Sequence, residues 1–348
     1  MDRDALARLA GEAVPHGSAD DPDLLDFSSN VNPEVPAGAE RVYRAAFDDA
    51  RSYPPDGYDD YRRAAAAFVG CEPGQVIPTA GGLRAIRLAV AATVDPGESA
   101  LLPAPTFGEY AREVRLQGGD PVRVPHDELL GADPAGYALV VVCTPNNPTG
   151  DAYNPAALRA FAERCRAVGT PLLVDEAFLG FTDLPSLAGA EGVVVARSLT
   201  KLFGLPGLRA GFAVATGDLR DRIAAARETW GLGVPAAAVG EHCLGQTAFV
   251  AATRDRVRRE RSRLRAALAE RFEVYEPSSP DLRSTTAPFV LFDAGSAERV
   301  DGLLASARAA GVALRDARTF ERLNRHVRVA VRRPRENDRL LEALDVRD

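Results

Sequence analysis

Ala138-Leu139-Val140-Val141-Val142-Cys143 runs straight into Thr144-Pro145-Asn146-Asn147-Pro148-Thr149-Gly150. Two later stretches repeat the form. Leu172-Leu173-Val174 ends in Asp175-Glu176-Ala177-Phe178, and Val193-Val194-Val195-Ala196 ends in Arg197-Ser198-Leu199-Thr200-Lys201. Short valine-rich runs of this kind predict central strands buried on both faces. From about Val76 to Ala215 they alternate with helical patterns, which predicts an α/β fold with a largely parallel sheet. Ligands of open α/β sheets bind beyond the carboxyl ends of the strands. An amide-rich turn, an acid and a lysine are therefore expected along one sheet edge, where together they would form a site.

Lys201 is the only lysine among 42 basic lysine and arginine residues. Arginine replaces lysine on a solvated surface, but it does not give up its proton in a protein. A position that keeps lysine is a candidate for an amine that must become neutral and nucleophilic, as in Schiff-base chemistry. Genome composition and salt adaptation both explain lysine depletion elsewhere, and the sequence does not separate them.

Upstream, Thr79-Ala80-Gly81-Gly82 opens an amphipathic helix starting at Leu83. Glycines at a helix N-terminus let backbone N–H groups approach an anion, which the helix dipole favours. No lysine follows them, so this is not a P-loop. Arg209 lies eight residues beyond Lys201, with Gly204, Pro206 and Gly207 between them. The chain can loop back there, so that Ser198, Thr200 and Arg209 surround one anion, and a guanidinium suits phosphate well.

The bulk composition fits these features. A chain of 348 residues can bury a large core, and 46% hydrophobic with 26% charged residues describes an ordered globular protein. A net charge of −7 argues against nucleic acid or an anionic membrane as the main partner. The arginine-rich stretch from Arg254 to Arg265 is expected to be a solvated helix. The start of the chain shows no signal-peptide pattern, and no apolar run approaches the roughly 18 residues of a membrane span. Cys71, Cys143, Cys165 and Cys243 are scattered, as are His16, His126, His242 and His326. Disulfides and a metal site are not expected, and a reduced, cytoplasmic setting is.

The three strand-end motifs, with the run from Lys201 to Arg209, resemble the fold-type-I aminotransferase family over essentially the whole chain. The resemblance implies a large domain at residues 40–240 with a mostly parallel sheet flanked by helices. A smaller α/β domain at 1–39 and 241–348 would close over substrate, and the protein would be a homodimer with shared sites. It also implies pyridoxal 5′-phosphate, held covalently by Lys201. Asp175 would pair with the ring nitrogen, and Asn147 would bond the ring hydroxyl oxygen. Ser198, Thr200, Arg209 and the amides near Gly82 and Leu83 would hold the cofactor phosphate, with Tyr53 reaching it from the neighbouring subunit. Phe107 would stack on the ring, with Tyr110 close enough to compete. Arg328 would clamp the substrate carboxylate with Asn32 nearby, and Arg315 and His16 would hold a distal phosphate. Arg332 is either a ligand or an edge residue.

Two departures from the family pattern stand out. Phe178 occupies a place where many aminotransferases have tyrosine, and Leu83-Arg84 replaces polar and acidic residues in the phosphate turn. Within the family, Pro15-His16-Gly17-Ser18, Asp26-Phe27-Ser28-Ser29-Asn30-Val31-Asn32-Pro33, Arg197 to Lys201 and Arg328-Val329-Ala330-Val331-Arg332 look more like threonine-phosphate decarboxylases than histidinol-phosphate aminotransferases. The implied reaction is decarboxylation of L-threonine O-3-phosphate to aminopropanol phosphate for cobalamin synthesis. The alternative is amino transfer of the histidinol-phosphate type. A non-catalytic cofactor-binding regulator is a third possibility. Such domains come fused to a DNA-binding module, for which this chain has no room.

Overall fold

The computed structural model describes residues 1–346. Seven strands form one sheet in the order Val76–Thr79, Gly211–Val214, Val193–Ser198, Leu172–Asp175, Leu139–Cys143, Ser99–Ala104 and Asp120–Pro125. Gly211–Val214 runs antiparallel to both its neighbours, and the other pairs are parallel. Both faces of the central strands are buried. Val140, Val142, Leu172, Val174, Val193 and Val195 join one apolar layer, while Leu139, Val141, Leu173, Val194 and Ala196 join the other. This alternation follows the period of two along a strand. The helix Gly82–Thr93 covers the second layer with Ala85, Ile86, Ala89 and Val90. Each buried valine or leucine contributes about 1.5–3 kcal/mol, so burial rather than local propensity holds these strands in place.

Strand register levels the sheet edge that matters. Cys143 pairs with Asp175, and Asp175 with Ala196. Gly211 lies between Ser198 and Thr79. A side chain at Gly211 would have no room: its Cβ would sit 2.6 Å from the Arg197 carbonyl oxygen and 2.8 Å from the Gly82 nitrogen. The close approach brings the Gly81-Gly82 turn against the strand that leads to Lys201.

A second, antiparallel sheet is ordered Glu273–Val274, Phe289–Asp293, His326–Ala330 and Arg315–Asp316. Its Phe289 and Phe292 belong to the same apolar cluster as Val174 of the larger sheet and Phe178 just beyond its strand, so one core runs between them. The start of the chain is stitched in here. Leu25–Asp26 pairs with Val312–Ala313, Phe27 N donates to Ala313 O, and Ala330 N donates to Phe27 O. Asn32 N then donates to Lys201 O at 2.9 Å. Residues 27–32 thereby come to lie beside Lys201.

The arginine-rich stretch lies on the helix Thr247–Ala269, and it is not the solvated face expected from its composition. Arg256 and Arg261 are buried. Arg254, Arg256 and Arg261 donate to the carbonyls of Gly180, Arg332 and Phe289, fastening the helix to the turn beyond Asp175 and to the second sheet. Among the described residues, no helix is long and apolar enough to cross a membrane. The four cysteines are free thiols.

Candidate active site

A cavity of about 380 Å³ opens at the carboxyl edge of the large sheet, between it and the second sheet. Lys201, Asp175, Asn147, Ser198, Thr200, Arg209, Gly82, Leu83, Phe107, Arg328, Arg315 and His16 all line it. Tyr53 and Asn32 do not.

One end is built for an anion. Ser198 Oγ and Thr200 Oγ1 lie 2.7 Å apart beside the first turn of the helix Gly82–Thr93. Arg209 is held in the left-handed region at φ 54°, with its Nη1 donating to Pro206 O at 3.1 Å. Gly81, at φ 90°, lets the guanidinium come close, because a Cβ there would sit 2.8 Å from Arg209 Nη2. Among the described residues no carboxylate pairs with Arg209. Arg84 turns away to Glu228, so the unusual Leu83-Arg84 pair leaves the helix N-terminus open to a ligand. The first N–H groups of a helix have no intrahelical acceptor, and they favour an anion here.

The floor holds Asp175, buried at the end of its strand. Its Oδ2 accepts from the Tyr110 hydroxyl at 2.6 Å and its Oδ1 from Ala177 N at 2.9 Å. Burial pushes the pKa of this carboxyl up, and the two hydrogen bonds work against that shift. A ring bearing a cationic N–H would be a fitting partner. Tyr110 is pinned to Asp175 and stands edge-on to Phe107, with centroids 5.6 Å apart at 85°. Phe107 is thereby left as the aromatic side available for a flat ligand. Phe178 meets Phe289 edge-on and offers no hydroxyl. Asn147 Oδ1 accepts from Arg328 Nη1, which leaves the Asn147 amide N–H₂ for a ligand.

Lys201 sits in the short helix Leu199–Leu202 that follows its strand. Burial, then the charges of Arg328 and Arg209, pull its pKa down to about 8. A substantial fraction of this amine is neutral near physiological pH, as a nucleophile requires.

The other end is cationic. Arg315 and Arg328 are direct cross-strand partners and both are buried. Arg328 Nη2 donates to Ser28 O, and Arg315 Nη2 donates to Pro15 O and Thr319 Oγ1. The Nε of each has no partner, and no carboxylate pairs with either among the described residues. Burial and the neighbouring Arg315 disfavour charge on Arg328. A guanidinium keeps its proton regardless, so the strain appears instead as a demand for anions. His16 closes the mouth, 3.1 Å from Glu109 Oε1. Its segment passes tightly over the turn below, where a Cβ at Gly17 would lie 2.1 Å from Ser28 O.

Asn32 requires correction. Its Nδ2 donates to Leu202 O and its Oδ1 accepts from Arg256, so the side chain is fully engaged away from the cavity. Asn30 faces the cavity instead, and its buried Oδ1 has no partner among the described residues. Asp26 builds that turn by accepting from Ser28 and Ser29. Tyr53 is 77% exposed and stacks on Trp230 at 4.2 Å, and it does not line its own chain's cavity. Arg332 is neither a cavity ligand nor a free edge residue. It donates to Asp26 O and pairs with Glu336. Glu109, a buried acid at the mouth, carried no signal in the sequence.

The arrangement offers an anion cradle at one end and two buried guanidiniums at the other, with an amine, Lys201, and an acid, Asp175, between them. A family model described as aminotransferase class I and II matches residues 22–344. The chain is 29% identical over 329 residues to histidinol-phosphate aminotransferase 1 of Archaeoglobus fulgidus, covering 92% of this chain and 98% of that one. It is 36% identical over 238 residues to a threonine-phosphate decarboxylase of a Sinorhizobium species, covering 66% and 68%. Among solved structures, L-threonine-O-3-phosphate decarboxylase from Porphyromonas gingivalis superposes with a TM-score of 0.80 at 23% identity, covering 92% of this chain and 98% of that one. At that identity the likeness speaks of fold alone.

Proposed function

The chain belongs to the aminotransferase class I and II family, whose cofactor is pyridoxal 5′-phosphate, and from that premise we propose that it decarboxylates L-threonine O-3-phosphate to aminopropanol phosphate. The cofactor, when bound, draws electrons out of a bond at the α-carbon of an amine joined to it. The cavity's residues fit that group. Ser198, Thr200, Arg209 and the N–H groups at Gly82 and Leu83 would hold its phosphate. Asp175 would accept from the ring N–H, Asn147 would donate to the ring oxygen, and Phe107 would cover one face. Lys201 would supply the amine that holds the aldehyde carbon.

One observation carries the choice of substrate: Arg315 faces Arg328 directly across a strand pair, with no carboxylate pairing either among the described residues. Their Cα atoms stand about 5 Å apart with both side chains on one face of the sheet, and the Arg315 charge disfavours charge on Arg328, a repulsion that anions between them would relieve. L-Threonine O-3-phosphate carries its carboxylate and its phosphate on adjacent carbons, which suits two neighbouring clamps. Histidinol phosphate has a single anion, and the second carboxylate of glutamate lies farther along its chain. Arg328 would take the carboxylate, and Arg315 with His16 the phosphate. By holding the carboxylate, Arg328 would orient the Cα–carboxyl bond that decarboxylation breaks. Lys201 would be the acid that returns a proton to Cα once carbon dioxide has left.

The near-full-length match to a histidinol-phosphate aminotransferase supports amino transfer as the second reading. The two differ in which bond at Cα the site's side chains would orient for cleavage. We further propose that residues 1–39 and 241–348 close over substrate, and that a second copy supplies Tyr53 to the phosphate end. The deciding experiment mixes cofactor-loaded protein with L-threonine O-3-phosphate, without keto acid, and assays carbon dioxide. Many equivalents per site support the decarboxylase. No release, with histidinol phosphate or glutamate converting bound cofactor to its amine form, makes the enzyme an aminotransferase.

A further inference from the structure

A buried charged network lies beneath the turn that carries Asn147, outside the cavity lining. Asp151, immediately after that turn, is 1% exposed. His126 Nε2 lies 2.9 Å from its Oδ1, and Thr149 Oγ1 donates to the same oxygen at 2.5 Å. Tyr275 donates to Oδ2 at 2.8 Å. His126 is held in turn through Nδ1, 2.8 Å from the Tyr153 hydroxyl. Thr149 Oγ1 accepts from Asn146 Nδ2 at 2.9 Å, and Asn146 N donates to Asp151 O at 2.7 Å. Asn146 also reaches the loop before Phe107. Its Nδ2 donates to Pro105 O, and its Oδ1 accepts from Thr106 Oγ1.

A turn needs no charge to be stable, and a buried carboxylate is costly unless several donors surround it. Here three side-chain donors converge on one acid, and their bonds branch toward both Asn147 and Phe107. Short charge-assisted bonds restrict position more tightly than neutral ones. We propose that Asp151, braced by His126, is a positioning residue that acts through Thr149 and Asn146. It fixes the edge contact of Asn147 and the face contact of Phe107 on the cofactor ring. The inference rests on Asn147 meeting the ring oxygen, and not on which substrate is used.

The test is a pH titration of the visible absorbance of the purified, cofactor-loaded enzyme, paired with thermal unfolding. Asn147→Ala should move the titration midpoint by about one unit, the size of one hydrogen bond. Asp151→Asn and Thr149→Val should move it in the same direction by roughly half a unit or more. Tyr275→Phe removes a bond from the far oxygen of Asp151, so it should lower the melting temperature and leave the midpoint in place. If Asp151→Asn fails to fold, the near-isosteric Thr149→Val decides. Variants that melt lower yet titrate like the parent would overturn the proposal. An Asn147→Ala enzyme that titrates like the parent would overturn the reading of Asn147 as well.

Discussion

The Tyr110 hydroxyl donates to Asp175 Oδ2 at 2.6 Å on the floor of the cavity. That is the length of a charge-assisted O–H···O⁻ bond, and it opposes the burial that pushes the Asp175 carboxyl up. Tyr110→Phe removes this support, so the Asp175 pKa should rise further. Protonated Asp175 cannot pair with a cationic ring nitrogen. The acid limb of the activity profile should therefore move to higher pH, and cofactor dissociation should become about tenfold weaker-binding, as one charged hydrogen bond implies. An unchanged acid limb would show that Tyr110 only fills space.

Lys201 gives a prediction of opposite sign. Its pKa is lowered to about 8, first by burial and then by Arg328 and Arg209. The rate at which cofactor-free protein captures pyridoxal 5′-phosphate should rise with pH and reach half its maximum near pH 8. Lys201→Arg should capture none, because arginine stays protonated. Linkage adds a second signature. Between the lowered pKa and the ordinary lysine value the unfolded chain binds more protons than the folded one, so stability of the cofactor-free protein should climb with pH through that window. Lys201→Met should flatten the climb. A parent melting curve already flat from pH 8 to about 10.4 would contradict the lowered value.

The strands were legible because valine runs buried on both faces leave little else for them to be, and their carboxyl ends located Asn147, Asp175 and Lys201. The choice between Asn30 and Asn32 was not legible. Two residues apart in the sequence, they share a local pattern. What separates them is distant: Arg256 and the Leu202 carbonyl engage Asn32 and leave Asn30 to the cavity. The arginine-rich helix misled for the same reason, since its acceptors at Gly180, Phe289 and Arg332 are invisible to local periodicity. Arg315 was legible as a candidate, but its pairing with Arg328 depends on the register of a two-residue strand.

Those two asparagines should separate experimentally. Asn30 carries a buried acceptor without a partner, turned toward the cavity. Asn30→Ala should leave the melting temperature nearly unchanged and raise KM, since a ligand donor loses its acceptor. Asn32→Ala strands the Arg256 guanidinium and the Leu202 carbonyl beside Lys201, and should destabilise by about 1–3 kcal/mol. Thermal unfolding and steady-state kinetics on both variants settle the assignment. A large stability loss in Asn30→Ala would show that its acceptor has a structural partner.

The facing guanidiniums make the most discriminating case, because the folded protein and its complex respond in opposite directions. Without ligand, Arg315 and Arg328 repel across the strand pair, so Arg315→Gln should relieve the repulsion and leave stability unchanged or higher. The bonds from Arg315 to Pro15 O and Thr319 limit that gain. With ligand, the same variant lacks the cation meant for a phosphate. KM for L-threonine O-3-phosphate should rise by about 10- to 100-fold, the range of a hydrogen bond to a charged group. In the cofactor-loaded protein, where the Arg209 end is already filled, inorganic phosphate should raise the melting temperature of the parent by mass action and fail to do so for the variant. Arg328→Gln should instead weaken substrates that have a carboxylate and no phosphate. If Arg315→Gln were strongly destabilised without ligand and kept its phosphate response, Arg315 would be a structural strut, and the phosphate would have to be held elsewhere.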